Sequence, residues 1–178
     1  MMSSRAETGA VAQTAAAAAS QNAQFLTFVV GRESFAAAIS AIREIIEVPS
    51  LTAMPLVPDF VRGVINLRGA VVPVLDLATR LELGRTEMAR RTCIVVVEVA
   101  GQESNGAPAT QVLGLLVDAV NEVLEIAAVQ IEPAPALGNR IPAEFIRGVA
   151  KVNKRLLVVL ELARVLAPQE LAELIGAR

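Results

Sequence analysis

Histidine, tryptophan and tyrosine are absent from the 178 residues, and cysteine occurs once. Without histidine there is no imidazole base, no Ser-His-Asp or Cys-His nucleophile pair, no imidazole metal ligand and no phospho-accepting histidine. One cysteine makes no internal disulfide, which suits a reducing cytosol. Cys93 lies in the apolar run Cys93–Val97, the setting of a buried inert thiol rather than a reactive one. Aromatic side chains amount to five phenylalanines, and 16 Lys+Arg against 18 Asp+Glu leave a formal charge of −2. Neither a basic footprint nor a stacking platform for nucleic acid is present. No apolar stretch approaches the roughly 20 residues that span a bilayer. The chain reads as soluble, without membrane insertion.

What is present is aliphatic. Hydrophobic residues make up 54% and charged residues 19%, the apolar excess residing in Ala and Val. The length fits one domain or two small lobes with a sizeable core. Residues 1–23 are Ala-rich, but their apolar run Ala15–Ala19 lacks the strongly hydrophobic centre of a signal peptide. Alanine buries too little surface to fix such a segment, so a flexible tail is expected. At the other end Glu161–Leu166 and Pro168–Ile175 have helical spacing, with Pro168 suited to a first turn.

The chain repeats itself. Phe60–Leu81 (FVRGVINLRGAVVPVLDLATRL) aligns without a gap on Phe145–Leu166 (FIRGVAKVNKRLLVVLELARVL) at a shift of 85, with nine of 22 positions identical. About two would agree by chance at ordinary composition. Phe60/Phe145, Arg62/Arg147, Gly63/Gly148 and Leu77/Leu162 are among the identities, and Asp76/Glu161 is conservative. Upstream, Ala41–Val48 matches Ala119–Ile126 at a shift of 78, keeping Glu44/Glu122 and Glu47/Glu125. The seven additional residues fall in the Pro-rich stretch Pro133–Pro142. Two blocks in the same order, with charges and glycine retained, identify two copies of one unit.

Each copy reads mostly as strand. Phe25–Val30 and Cys93–Val99 open the copies, and Gly31–Ser34 turns the chain into Phe35–Ile39. In the second copy that turn has grown into the polar loop Gly101–Thr110. Arg62–Leu67 and Ala70–Leu75 surround Arg68-Gly69, as Arg147–Val152 and Leu156–Leu160 surround Asn153-Lys154. Gly69 adopts positive φ cheaply and Asn153 tolerably. Pro73 within a strand implies an edge or a bulge, and Asp76–Leu83 and Glu161–Leu166 read as short helices. So many short strands in so few residues argue for small barrels. The expected fold is mainly β: two SH3-like five-stranded barrels side by side, with short helices after each copy and a shared hydrophobic seam. The first barrel is expected over 24–84 and the second, with the C-terminal helix, over 85–178. Exchange of a terminal strand between them is compatible with this reading.

Carboxylates are the remaining candidates for catalysis, and acid–base work needs two in one cleft. Asp59 and Asp76 are the obvious pair. Both also stand at helix starts, where carboxylates cap orphan N–H groups, and the replacement of Asp76 by Glu161 in the other copy fits that structural use. No phosphate loop, metal-ligand spacing or dinucleotide fingerprint occurs. Binding is the better-supported reading. Arg68 at a hairpin tip suits a bridge to a partner's carboxylate or carbonyl. Ile42–Val48 reads as a strand with a buried aliphatic side and a solvated side bearing Glu44, some aliphatics bordering the seam.

Phe25–Val30, Ile42–Glu47 and above all Phe60–Leu77 resemble the bacterial chemotaxis coupling protein CheW family, and Val112–Ile126 and Glu144–Leu162 do so in the same order. The pattern G-V-x-N-L-R-G-x-x-x-P-x-x-D-L is complete from Gly63 to Leu77, and the resemblance covers about Gln24 to Leu174. It implies a scaffold with neither catalysis nor cofactor, tying the cytoplasmic tips of methyl-accepting chemoreceptors to the regulatory domain of the histidine kinase CheA. It further implies a cytoplasmic protein recruited to membrane-associated receptor arrays. By matching motifs, receptor-facing positions are Ile42, Glu44, Ile45, Arg68, Gly69, Gly114, Val120 and Val123, and Gly63 is a kinase-coupling position where a larger side chain distorts its strand. The longer tail and the extended 101–110 loop depart from the usual pattern without touching the motif. Two alternatives stand beside this one: a CheW-like module of a parallel pathway or of a CheV- or CheA-type protein, and a small carboxylate-dependent enzyme built on Asp59, Asp76 and Glu44.

Overall fold

The computed structural model describes residues 22–100, 110–133 and 141–166. The Ala-rich segment 1–21, most of the 101–110 loop, residues 134–140 and the segment from 167 onward, including the helix expected over Pro168–Ile175, lie outside the described residues.

β1 (Asn22–Val30) and β2 (Glu33–Ala38) form the opening hairpin, turning at Gly31 with φ +65°. β1 starts earlier than expected, taking in Asn22 and Ala23 from the presumed tail, and Ile39 leaves β2 for a 3-10 turn over Ile39–Ala41. β3 (Ile42–Glu47) follows, then β4 (Val61–Leu67) and β5 (Ala70–Asp76) as a tight hairpin, and α1 (Leu77–Arg80). The second copy supplies β6 (Cys93–Ala100), β7 (Thr110–Val117), β8 (Ala119–Ala127) and the two-residue β9 (Ile131–Glu132). β10 (Ile146–Val152), β11 (Arg155–Leu160) and α2 (Leu162–Val165) complete it. Both helices are one turn long, shorter than the sequence suggested, and each follows the acid that aligns between the copies.

The strands form two sheets, ordered β3-β6-β7-β5-β4 and β8-β1-β2-β11-β10-β9. Each sheet contains the opening hairpin of the other copy. Reciprocal exchange of whole hairpins, rather than of one terminal strand, joins the two units. The division at 84/85 therefore separates the sequence repeats but not the sheets, which is a correction to the expected barrel boundaries. The two parallel contacts that weld the exchanged hairpins in are equivalent. Val74 pairs with Gly114 where β5 meets β7, and Val159 with Ala36 where β11 meets β2. These pairs obey the repeat shifts of 85 and 78.

Packing follows the same duplication. Ile65, Val72 and Val74 are buried in one small cluster, and their equivalents Ala150, Leu157 and Val159 in another. The largest cluster lies between and draws on both sheets, with Leu26, Phe28, Phe35, Leu75, Leu77, Leu113, Leu115, Leu160 and Val165 buried in it. Phe28 and Phe35 stack there at 6.2 Å between ring centroids. Each such side chain contributes about 1.5–3 kcal/mol on burial, so this common core holds the two units together.

Pro73 sits neither on an edge strand nor at a bulge. It pairs with Val64 of β4, and the β7 ladder begins one residue later at Val74, so at Pro73 β5 still has β4 alone beside it. The residue that cannot donate stands where one ladder has not yet started.

Candidate docking surface

The β4–β5 hairpin turns on Arg68 and Gly69, both at positive φ, +52° and +87°. Two consecutive left-handed residues match the right-handed twist of the strands they join. Gly69 bears this at no cost, and its N–H donates to Asn66 Oδ1 at 2.9 Å. Arg68 is strained by about 1–2 kcal/mol. Its side chain forks onto Glu44, Nη1 donating to Oε2 at 2.5 Å and Nη2 to Oε1 at 2.9 Å. Arg68 thus has its carboxylate within the chain, where the sequence suggested a partner's.

Glu44 belongs to β3, where Ile42, Glu44 and Ile46 are half-buried and Arg43, Ile45 and Glu47 exposed. The expected assignment of Glu44 to the solvated side is corrected. A register shift between Ile42 and Glu44 marks an irregularity against β6, but burial still alternates strictly along the strand, and Arg68 covers Glu44. Glu44 retains 23% side-chain exposure against 75% for Arg68. Arg43 reaches Glu98 at 3.7 Å on the outer side.

β3 edges one sheet and β8 edges the other. Ile42 and Val120 both pack against the common core, which puts them at the seam. Cys93 lies opposite Glu47 in the β3–β6 ladder, and its sulfur is hydrogen-bonded by the Val120 backbone, so β8 meets the other sheet at β6, one strand in from the β3 edge. Burial pushes the Cys93 thiol above its ordinary value, and that hydrogen bond offsets it in part. Ile45 and Val123 project outward, 45% and 48% exposed.

Two of the sequence-chosen positions lie inside. Gly114 is buried between β6 and β5, and a Cβ there would meet Ile94 Cγ2 at 2.8 Å and Val74 Cγ2 at 3.4 Å. Gly63, at φ +146°, sits at the β4 bulge, where a Cβ would lie 2.5 Å from the Thr52 carbonyl oxygen. Its equivalent Gly148 repeats this at the β10 bulge, with Glu132 O at 2.5 Å. These glycines shape the barrels from within, while Ile42, Glu44, Ile45, Arg68, Gly69, Val120 and Val123 reach the surface at least in part.

The acids form no catalytic cleft. Asp76 is buried, its Oδ1 accepting from Ala78 N (3.1 Å), Thr79 N (3.4 Å) and Thr86 Oγ1 (2.9 Å). Oδ2 accepts from Arg62 Nη1 at 2.8 Å and Thr86 N at 3.0 Å. Asp76 caps α1 and anchors the segment leading to β6, while Asp59 stands exposed in the turn before β4. Among the described residues no cluster of Cys, Asp and Glu is arranged to hold a metal ion. The sequence marked Arg62 and Asp76 through the repeat but gave no sign of Thr86, since the second copy has no such clasp within the described residues. A surface groove of about 570 Å³, lined by Val48, Pro49, Leu51 and Met88 with Glu47 and Arg90, also carried no sequence signal. Among the described residues no helix is long and apolar enough to cross a membrane.

The family model of the CheW-like domain matches residues 24–170. The chain belongs to this family. Chemotaxis protein CheW of Rhizobium meliloti is 36% identical over 147 residues, 83% of this chain and 89% of that one. Probable chemotaxis protein CheW of Rhizobium etli is 35% identical over the same shares. The crystal structure of scaffolding protein TtCheW from Thermoanaerobacter tengcongensis superposes with a TM-score of 0.68 at 32% identity, covering 79% of this chain and 85% of that one. CheW-like proteins of this kind are chemotaxis scaffolds that assemble other proteins and catalyse nothing, and this chain is a chemotaxis scaffold of mainly β fold.

Proposed function

We propose that this CheW-like chain couples the cytoplasmic tips of methyl-accepting chemoreceptors to the regulatory domain of the histidine kinase CheA, in the cytoplasm and at membrane-associated arrays. The receptor tip, an antiparallel helical hairpin, docks where β3, the β4–β5 tip and β8 approach the seam. Ile42, Ile45, Val120 and Val123 supply apolar contact, and Glu44, Arg68 and Gly69 fix its register. Gly63 and Gly114 act indirectly, by setting the shapes of the strands behind that surface. Kinase contact uses barrel surface outside this region.

The observation that carries the reading is the forked Arg68–Glu44 contact, which holds a strained hairpin tip rigid beside exposed aliphatics. A surface ordered before binding loses less entropy when a partner arrives. Modest single affinities then build a stable array through multivalency.

Surface-immobilised chain, presented separately with a receptor tip fragment and with the CheA regulatory domain, tests the proposal. Binding to both is expected, with Ile45→Asp and Val123→Asp weakening the receptor fragment alone. Failure to bind either partner overturns it.

A further inference from the structure

Arg80 closes α1 and lies between two aromatic rings. Its guanidinium carbon is 4.9 Å from the Phe60 ring centroid and 4.8 Å from that of Phe145, and its Nε donates to the Val165 carbonyl at 2.9 Å. Phe60 and Phe145 are equivalent residues of the two copies, 85 apart. Val165 stands at the same distance from Arg80 and is its own equivalent. One side chain therefore crosses the pseudo-symmetry that relates the barrels, touching a residue, the counterpart of that residue and the counterpart of itself.

The rings stand at structurally fixed points. The Phe60 carbonyl accepts from Asp76 N at 2.6 Å, and the Phe145 carbonyl accepts from Glu161 N at 2.9 Å. Each phenylalanine thus ties the start of a closing hairpin to its end, one in each sheet. Phe145 is buried in the common core and Phe60 packs against it. Apolar contacts across such a seam are non-directional and tolerate sliding. A planar cation between two ring faces, with its Nε committed to a carbonyl, specifies orientation as well as distance.

We propose that Arg80 sets the rotation of one barrel against the other, and thereby the joint geometry of the faces that two partners occupy. The second half rests on the coupling function proposed above; the first does not. Arg80 is a positioning residue, acting through the barrels rather than by touching a partner.

The test measures rotation directly. Val71 and Leu156 are exposed equivalents on β5 and β11, one in each sheet. In the full chain carrying Cys93→Ser, spin labels at Val71→Cys and Leu156→Cys report the distance between barrels. With Arg80 in place a single narrow distribution is expected. Arg80→Met is expected to broaden or displace it, and Arg80→Lys, which keeps the charge but not the plane, to do so to a smaller degree. Distributions that superimpose on that of the parent overturn the proposal, and Arg80→Lys alone decides it should Arg80→Met fail to fold. In unlabelled Arg80→Met each partner is expected to bind alone within about two-fold of the parent, while the ternary complex weakens about ten-fold. An undiminished ternary complex overturns the second half. Absence of partner binding by the parent refutes the coupling function instead, and the distance measurement still decides the first half.

Discussion

Arg68 and Glu44 connect the hairpin after β4 to β3, the two outermost strands of the five-stranded sheet. The ion pair spans the gap left where that sheet curls round on itself. Arg68→Glu breaks the fork and sets two carboxylates together. Because Arg68 keeps 75% of its side chain exposed, the stability loss is about 1 kcal/mol, read as a lower urea midpoint. The exchanged variant Arg68→Glu/Glu44→Arg recovers much of that midpoint while receptor affinity stays low. Full recovery of affinity as well would show the pair to be structural only.

Gly63 and Gly148 separate steric from backbone effects. A Cβ at either meets a carbonyl oxygen of the neighbouring segment at 2.5 Å, and at Gly148 also Ile131 Cγ2 at 2.6 Å, but Gly63 alone is at positive φ. Alanine is therefore destabilising at both positions, by about 1–3 kcal/mol, and more so at Gly63, where strain adds to the clash. Denaturant melts of both variants check the order; equal midpoints would remove the backbone contribution.

Removing Asp76 exposes what Arg62 depends on. Asp76→Ala strips the cap from α1 and leaves a guanidinium with only 12% side-chain exposure facing the Thr86 carbonyl without its carboxylate. The expected cost is about 3–5 kcal/mol. Arg62→Leu/Asp76→Leu is milder than Asp76→Ala, since no buried charge is stranded. A thermal melt ranking the double variant below the single one would contradict the account.

Gly114→Ala forces Ile94 Cγ2 and Val74 Cγ2 aside, whereas the equivalent position in the other sheet already carries the Cβ of Ala36. Lower stability is expected, with receptor binding by the folded fraction reduced less than by Ile45→Asp. A binding loss as large as that of Ile45→Asp, at unchanged midpoint, would make Gly114 a contact position.

Burial holds the Cys93 thiol above its ordinary value. At pH 8 alkylation by iodoacetamide is expected to be slower than for a free thiol, and to accelerate as pH rises further. Denaturant should abolish the difference. An equal rate in the folded protein would show the thiol to be open to solvent.

The hairpins and the doubling were legible in the sequence because local rules create them. Alternating aliphatics flank a two-residue turn in both copies, and the Gly63/Gly148 match marks two bulges of one kind. The hairpin exchange was not legible. Moving β1–β2 from one sheet to the other changes no strand's burial pattern, so composition and spacing are silent about it. Glu44 was misplaced because the aliphatics of β3 do not themselves keep a period of two, Ile45 and Ile46 being adjacent, so their spacing could not tell which face is covered. Arg68 could be marked as a turn residue but not paired, since its carboxylate lies 24 residues away on a strand whose position depends on sheet closure. Arg80 escaped notice because the repeat aligns it with a valine, and a mismatch between copies carries no information until both are seen in space.

The reciprocal placement of the opening hairpins has a consequence for biogenesis. A nascent chain that has emerged only as far as Ala89 owns β1 and β2 but not β8 or β11, the strands flanking them. It likewise owns β3 and β5 without the β6 and β7 that stand between them. Neither sequence repeat can mature on the ribosome as a self-sufficient module: the five-stranded sheet has all its strands only once Val117 has emerged, and the six-stranded sheet only once Leu160 has.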